Sequence, residues 1–175
     1  MILASASPRR RDILEQLGVA FEVVVPEVEE LTEGNPRDLV LENARRKAEA
    51  VPGDDVLGAD TTVALDGVVL GKPADLTEAR SHLARLSGGT HEVWSAVCFR
   101  GQAVADLTAV TFRDLGPLLD WYLATEEWQG KAGGYAIQGR AGAFVEWIGG
   151  DYTNVVGLPL ALTGRMLARF GVLQP

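Results

Sequence analysis

The chain of 175 residues is long enough to bury a core as a single domain spanning residues 1–175, and 47% hydrophobic with 23% charged residues is an ordinary globular composition. A formal charge of −8 and an isoelectric point near 4.8 argue against a nucleic-acid-binding surface, because such affinity draws on clustered Lys and Arg. The single cysteine, Cys98, rules out a disulfide framework or a cysteine-based zinc site and suits a reducing cytoplasm, while MILA is too short for an export signal and no run approaches the ~18 apolar residues of a membrane helix.

In chain order, Met1 to Ala4 reads as a short buried strand. Pro8 to Leu17 reads as a helix with Ser7 as N-cap, Pro8 in the first position and Gly18 as the stop. Phe21 to Val25 is a strand, and Pro26 to Gly34 (PEVEELTEG) an acidic loop. Asn35 caps a second helix that opens on Pro36 and runs to about Val51. Asp55 to Asp60 is an apolar strand ending on a carboxylate, followed by a hairpin through Asp66-Gly67 to Val68–Leu70. A helix over about Leu76 to Leu86 precedes two strands, Glu92 to Phe99 and Ala103 to Phe112, flanking the Arg100-Gly101 turn. Leu118 to Glu126 reads as helix, Gly130 to Gly142 as loop and Ala143 to Ile148 as strand, and a last helix runs from Pro159 to near Phe170. Helices interleaved with strands indicate an α/β fold with a mixed sheet.

The first helix poses a problem of charge. Arg9, Arg10 and Arg11 occupy its first turn, where the helix dipole disfavours cations by roughly 0.3–1 kcal/mol each. A strand running through a Ser-rich turn into a helix N-terminus is also a ready anion site. A phosphate there would turn the penalty into ligation; a solvated basic turn is the plainer alternative. The ~100° step per residue prevents all three from reaching one group. Two are therefore expected to face the pocket, with Arg11 paired to Asp12 or Glu15.

On the second helix, Glu42 with Arg46 and Arg45 with Glu49 form i,i+4 pairs, whereas Lys47 has no acidic neighbour at helical spacing. From the residues alone it reads as a lysine snorkelling to the surface. Asp60, at a strand end where ligands gather in open α/β sheets, suits cation binding or proton transfer, or simply turn capping. Lys72, in GKP, is equally a turn lysine or a phosphate contact. Phosphate-loop, GxGxxG and GxSxG motifs are absent, His82 and His91 read as surface or strand histidines, and the four tryptophans as core or interface.

Six segments form a larger pattern: SASPRR at Ser5–Arg10, GADT around Asp60, GKP around Lys72, LSGGTHEV from Leu86, KAGGYAIQG from Lys131 and VVGLPL from Val155. In this order and spacing, across nearly the whole chain, they resemble the Maf family of nucleoside triphosphate pyrophosphatases. The resemblance implies an α/β fold similar to the inosine triphosphate pyrophosphatases, with a mixed, twisted sheet flanked by helices in two lobes around a central cleft. It also implies cleavage of a nucleoside triphosphate between the α and β phosphates, with a divalent metal (Mg²⁺, Mn²⁺ or Co²⁺) and a homodimeric enzyme. Carried over by position, Asp60 resembles the general base. Ser5, Arg10, Lys47 and Lys72 resemble phosphate contacts, and Glu30 resembles an acidic residue that acts with Asp60 on metal or water.

The branch acting on dTTP and UTP has Arg after SxSP, Thr after the catalytic Asp and Gln in IQG, here Arg9, Thr61 and Gln138. The 7-methyl-GTP branch has Trp, Gln and Glu in these places, as suits a methylated cationic purine, whereas a Gln amide offers both donor and acceptor to a pyrimidine edge. The segment PEVEEL is partly like that other branch, and Arg11 matches no family position. The competing reading outside enzymology is a nucleotide-binding regulator of cell division, which would have no need of the base Asp60.

Overall fold

A computed structural model of the chain describes residues 1–173. Its seven strands form one open mixed sheet in the order β2-β1-β3-β5-β6-β7, with β4 paired to β3. These are β1 (Ile2–Ala4), β2 (Glu22–Val24), β3 (Val56–Leu65), β4 (Val68–Leu70), β5 (Thr90–Phe99), β6 (Gln102–Phe112) and β7 (Val145–Gly149). The helices are α1 (Pro8–Glu15), α2 (Pro36–Glu49), α3 (Leu76–Leu86), α4 (Leu118–Leu123), α5 (Tyr152–Val156) and α6 (Leu160–Arg169). The expected α/β class with a mixed sheet flanked by helices is the observed one.

Local chemistry sets the element boundaries. Ser7 accepts the Arg10 N–H at the start of α1, and the Asn35 side chain accepts those of Arg37 and Asp38 at the start of α2. The two hairpin turns place Asp66-Gly67 and Arg100-Gly101 at positive φ, as tight two-residue connections require. The segment expected as plain loop contains two short 3-10 turns, Ala132–Gly134 and Arg140–Phe144, and α5 lies in a stretch for which the sequence suggested no helix.

One difference bears on the site. β3 does not end at Asp60 but continues to Leu65. On one edge it pairs with β5 along Leu57–Ala64; on the other it meets β1 only over Val56–Gly58 and β4 only over Val63–Leu65. Residues 59–62 therefore have no neighbouring strand on that edge. The sheet has a gap there, and because side chains alternate across a strand, Asp60 and Thr61 leave it on opposite faces.

The apolar cores lie on both sides of this gap. Leu3, Ile13, Leu14, Leu57 and Leu167 join β1, α1 and α6, while Leu70, Leu83, Leu86, Phe112, Tyr122 and Phe144 join α3, α4 and the far ends of the long strands. Each fully buried leucine among them contributes about 1.5–3 kcal/mol. Between them α2 lies on β3 at very close range: a Cβ at Gly58 would collide with the Ala44 carbonyl and come 2.7 Å from the Ala48 nitrogen. Among the described residues, no helix is long and apolar enough to cross a membrane.

Candidate active site

The gap in the sheet opens into a cleft of about 430 Å³. It is lined by Ser5, Arg9 and Arg10 from the β1–α1 turn, Glu30 from the acidic loop and Lys47 from α2. Asp60 and Thr61 from β3, Lys72 from the loop after β4, and Gln138 line it as well, so every site residue carried over from the family resemblance borders one cavity. Lys131 also lines it, which makes five cations against two carboxylates in a protein whose net charge is −8.

Lys47 is not a snorkelling surface residue. It is 5% exposed, and its Nζ lies 2.6 Å from Asp60 Oδ1 and 2.9 Å from Glu30 Oε1. Its acidic partners come from a strand and a loop, so helical spacing within α2 could not reveal them. Asn43, one turn earlier on the same buried face, donates to Asp60 Oδ2 at 3.0 Å and to the Leu31 carbonyl at 2.9 Å, and its Oδ1 accepts the Leu31 N–H at 2.8 Å. It thus ties the acidic loop to the carboxylate. Asn43 was missed in the sequence, although two polar residues at i and i+4 on an otherwise apolar stripe were a usable signal.

Lys72, exposed, reaches Glu30 Oε2 at 3.5 Å. Partial burial pushes the Glu30 carboxyl up, but Lys47 and Lys72 more than offset this and hold it below the ordinary carboxylate range. Glu30 and Asp60 keep lone pairs beyond these contacts. Among the described residues no group of three or more His, Cys, Asp or Glu side chains is placed to hold a metal ion. Two carboxylates are hard oxygen donors, the ligand type that suits a divalent cation completing its shell with phosphate oxygens and water.

On the other face of β3 stands Arg10. Its Nε donates to the Gly157 carbonyl at 2.8 Å, Nη1 to Ser5 Oγ at 3.4 Å and Nη2 to Thr61 Oγ1 at 3.2 Å. Burial lowers the pKa of this guanidinium, and the Asp60 and Glu30 carboxylates oppose the change. Thr61 thus meets Arg10 directly. Its hydroxyl also lies 2.8 Å from the hydroxyl of Ser95 and 3.2 Å from the Gly157 carbonyl, while Ser95, fully buried, is within 2.8 Å of the Asn154 carbonyl. Whichever oxygen takes the Thr61 proton, a Thr61 lone pair accepts from Arg10. Ser95 was missed because a serine within an apolar strand carries no signal of what it faces.

The three arginines divide as expected. Arg9 and Arg10 line the cleft, while Arg11 is exposed and pairs with Asp12 at 3.1 Å and Glu15 at 3.7 Å. On α2, Arg46 pairs with Glu42 at 3.0 Å, whereas Arg45 turns to Glu42 at 4.0 Å instead of Glu49, so two arginines share one carboxylate. His91 lies buried in β5 and His82 on the buried face of α3, so His82 is neither a surface nor a strand histidine.

Similarity to known proteins extends over the whole chain. It is 52% identical to the dTTP/UTP pyrophosphatase of Anaeromyxobacter dehalogenans, covering 100% of this chain and 96% of the relative. The dTTP/UTP pyrophosphatase of Symbiobacterium thermophilum is 51% identical over 98% of this chain and 94% of its own length. That of Pyrococcus abyssi is 48% identical over 95% and 94%. The profile of the Maf-like proteins matches residues 1–170, and the chain belongs to that family.

Proposed function

We propose that the chain hydrolyses dTTP and UTP to the nucleoside monophosphate and pyrophosphate. The observation that carries this reading is the concentration of five cations around two carboxylates in one cleft of an otherwise acidic protein. A triphosphate carries about four negative charges, and its cleavage is catalysed chiefly by positioning and charge neutralisation. The names of relatives at about half identity over full length supply the substrate class.

In this reading Arg10, Lys47 and Lys72 neutralise the phosphates and Ser5 hydrogen-bonds them. Asp60 accepts a proton from the water that attacks the α phosphorus. The new P–O bond forms as the bond to the bridging oxygen breaks, and pyrophosphate leaves. Glu30 shares Lys47 with Asp60, and together the two carboxylates would hold a divalent cation, Mg²⁺, Mn²⁺ or Co²⁺. Such an ion supplies further neutralisation of the polyphosphate and its leaving group. Arg9 and Gln138 stand toward the base, and Thr61 acts by holding Arg10. Asp60 is spent on proton transfer only in an enzyme, which favours this reading over a nucleotide-sensing regulator of cell division. A cytoplasmic setting is supported by the lone, buried Cys98, and a homodimer by the exposed Trp121 and Trp147.

The test is pyrophosphate release from dTTP, UTP, CTP, GTP, ATP and 7-methyl-GTP with Mg²⁺ or Mn²⁺. Turnover of dTTP and UTP is expected, with loss of about 10³-fold in Asp60→Asn. Binding without cleavage of any nucleotide would favour the regulator, and preference for 7-methyl-GTP would place the chain in the other branch.

A further inference from the structure

Gln138 is exposed to the cleft and makes no side-chain hydrogen bond to any described residue. Its amide is therefore available to a ligand, and its position comes from the main chain alone. That main chain is held at two points by side chains from elsewhere, and a third contact fixes the side chain of Tyr135. Tyr122, wholly buried on α4, accepts the Ala136 N–H at 3.1 Å. Glu127, partly buried after α4, accepts the Arg140 N–H on Oε2 at 2.8 Å and receives Arg140 Nη1 on Oε1 at 3.1 Å. His91 Nε2, in β5, lies 2.8 Å from the Tyr135 hydroxyl. Between the anchors, Ile137 is buried in the core and also borders the cleft.

We propose that Tyr122 and Glu127 are positioning residues for base selection: by fixing the backbone two residues before and two after Gln138, they hold its amide where a pyrimidine edge can meet it. The fit around the carboxylate is close. A Cβ at Gly139 would overlap Glu127 Oε2, so the main chain between Gln138 and Arg140 runs directly over it. The phosphate contacts Ser5, Arg10, Lys47 and Lys72 lie in the β1–α1 turn, on α1, on α2 and in the loop after β4, and neither they nor Asp60 on β3 share a hydrogen bond with these anchors. Loosening the anchors should therefore alter which base is accepted while leaving phosphate chemistry in place. This inference rests on the reading of Gln138 as a base contact.

The experiment compares kcat and KM for dTTP and GTP in the parent, Gln138→Ala, Tyr122→Phe, Glu127→Ala and Glu127→Gln. Tyr122→Phe and Glu127→Ala are each expected to lower the dTTP-to-GTP ratio of kcat/KM by about five-fold or more, through KM for dTTP, with kcat changed less than about two-fold. Glu127→Gln keeps an acceptor for the Arg140 N–H and is expected to recover most of the ratio. Equal losses for both nucleotides would mean a merely structural role and overturn the proposal. So would an unchanged ratio in both anchor variants while Gln138→Ala collapses it. If Gln138→Ala leaves the ratio intact, the reading of Gln138 itself fails and the anchors lose their function with it.

Discussion

At the cationic end of the cleft the principal charges hold one another: Lys47 lies between Asp60 and Glu30, and Arg10 is fixed by Gly157, Thr61 and Ser5. At the base-facing part of the cleft Gln138 has no side-chain hydrogen-bond partner among the described residues and takes its place from a backbone anchored at its flanks. The contrast follows from the chemistry each end would perform. Charge neutralisation needs a preorganised field that does not relax when the anion arrives. Reading a base needs an amide with unspent donors and acceptors, so the restraint must come from behind it. Interlocked charges also make the first end intolerant of change, while the second can be retuned through its supports.

Removing Lys47 should break the interlocked end most severely. Lys47→Met leaves Asp60 buried without its cation and facing Glu30, and is expected to cost about 3 kcal/mol of stability, read by denaturant unfolding, together with most of the activity. Arg10→Ala should leave the fold intact but lower kcat/KM by about 10²-fold, in line with the loss of a preorganised donor to a developing charge. The base end should respond to pH through its support. Burial pulls His91 down to about 4, so between about 6.5 and that value the unfolded chain binds more protons than the native one. The stability that depends on a neutral His91 is full above about 6.5 and falls as the pH drops toward 4. His91→Phe is expected to flatten the melting-temperature profile over that window relative to the parent. The smallest effect belongs to Arg11→Ala: its pairs with Asp12 and Glu15 are exposed, so less than about 1 kcal/mol of stability and less than a two-fold change in turnover are expected.

Much of the fold was legible because its signals are local. Ser7-Pro8 and Asn35-Pro36 mark helix starts, and Asp66-Gly67 and Arg100-Gly101 mark hairpins, through conformations that each dipeptide imposes by itself. The strand limit at Asp60 was misplaced for an equally local reason. Asp60, Thr61 and Thr62 interrupt the apolar run at the place where the sheet loses its neighbour, so a strand half-bordered by the cleft reads as one that stops. α5 has five residues, too few to show a helical period. Within the site, Arg10 and Arg11 could be told apart by angular spacing, but the buried state of Lys47 and the contact between Thr61 and Ser95 depend on partners 13 and 34 residues away. The resemblance brought the cleft residues together; the hydrogen bonds that orient them became visible only in three dimensions.

Gly58 extends these constraints to a residue that no substrate touches. Because the α2 backbone rests on its Cα, any side chain there would lift the helix from β3 and carry Lys47 and Asn43 away from Asp60. In a saturation scan scored by growth or turnover, position 58 should therefore be as intolerant as the charged positions of the cleft. Repair would be hard to find, since the collision is with main-chain atoms that no compensating side-chain replacement can shrink.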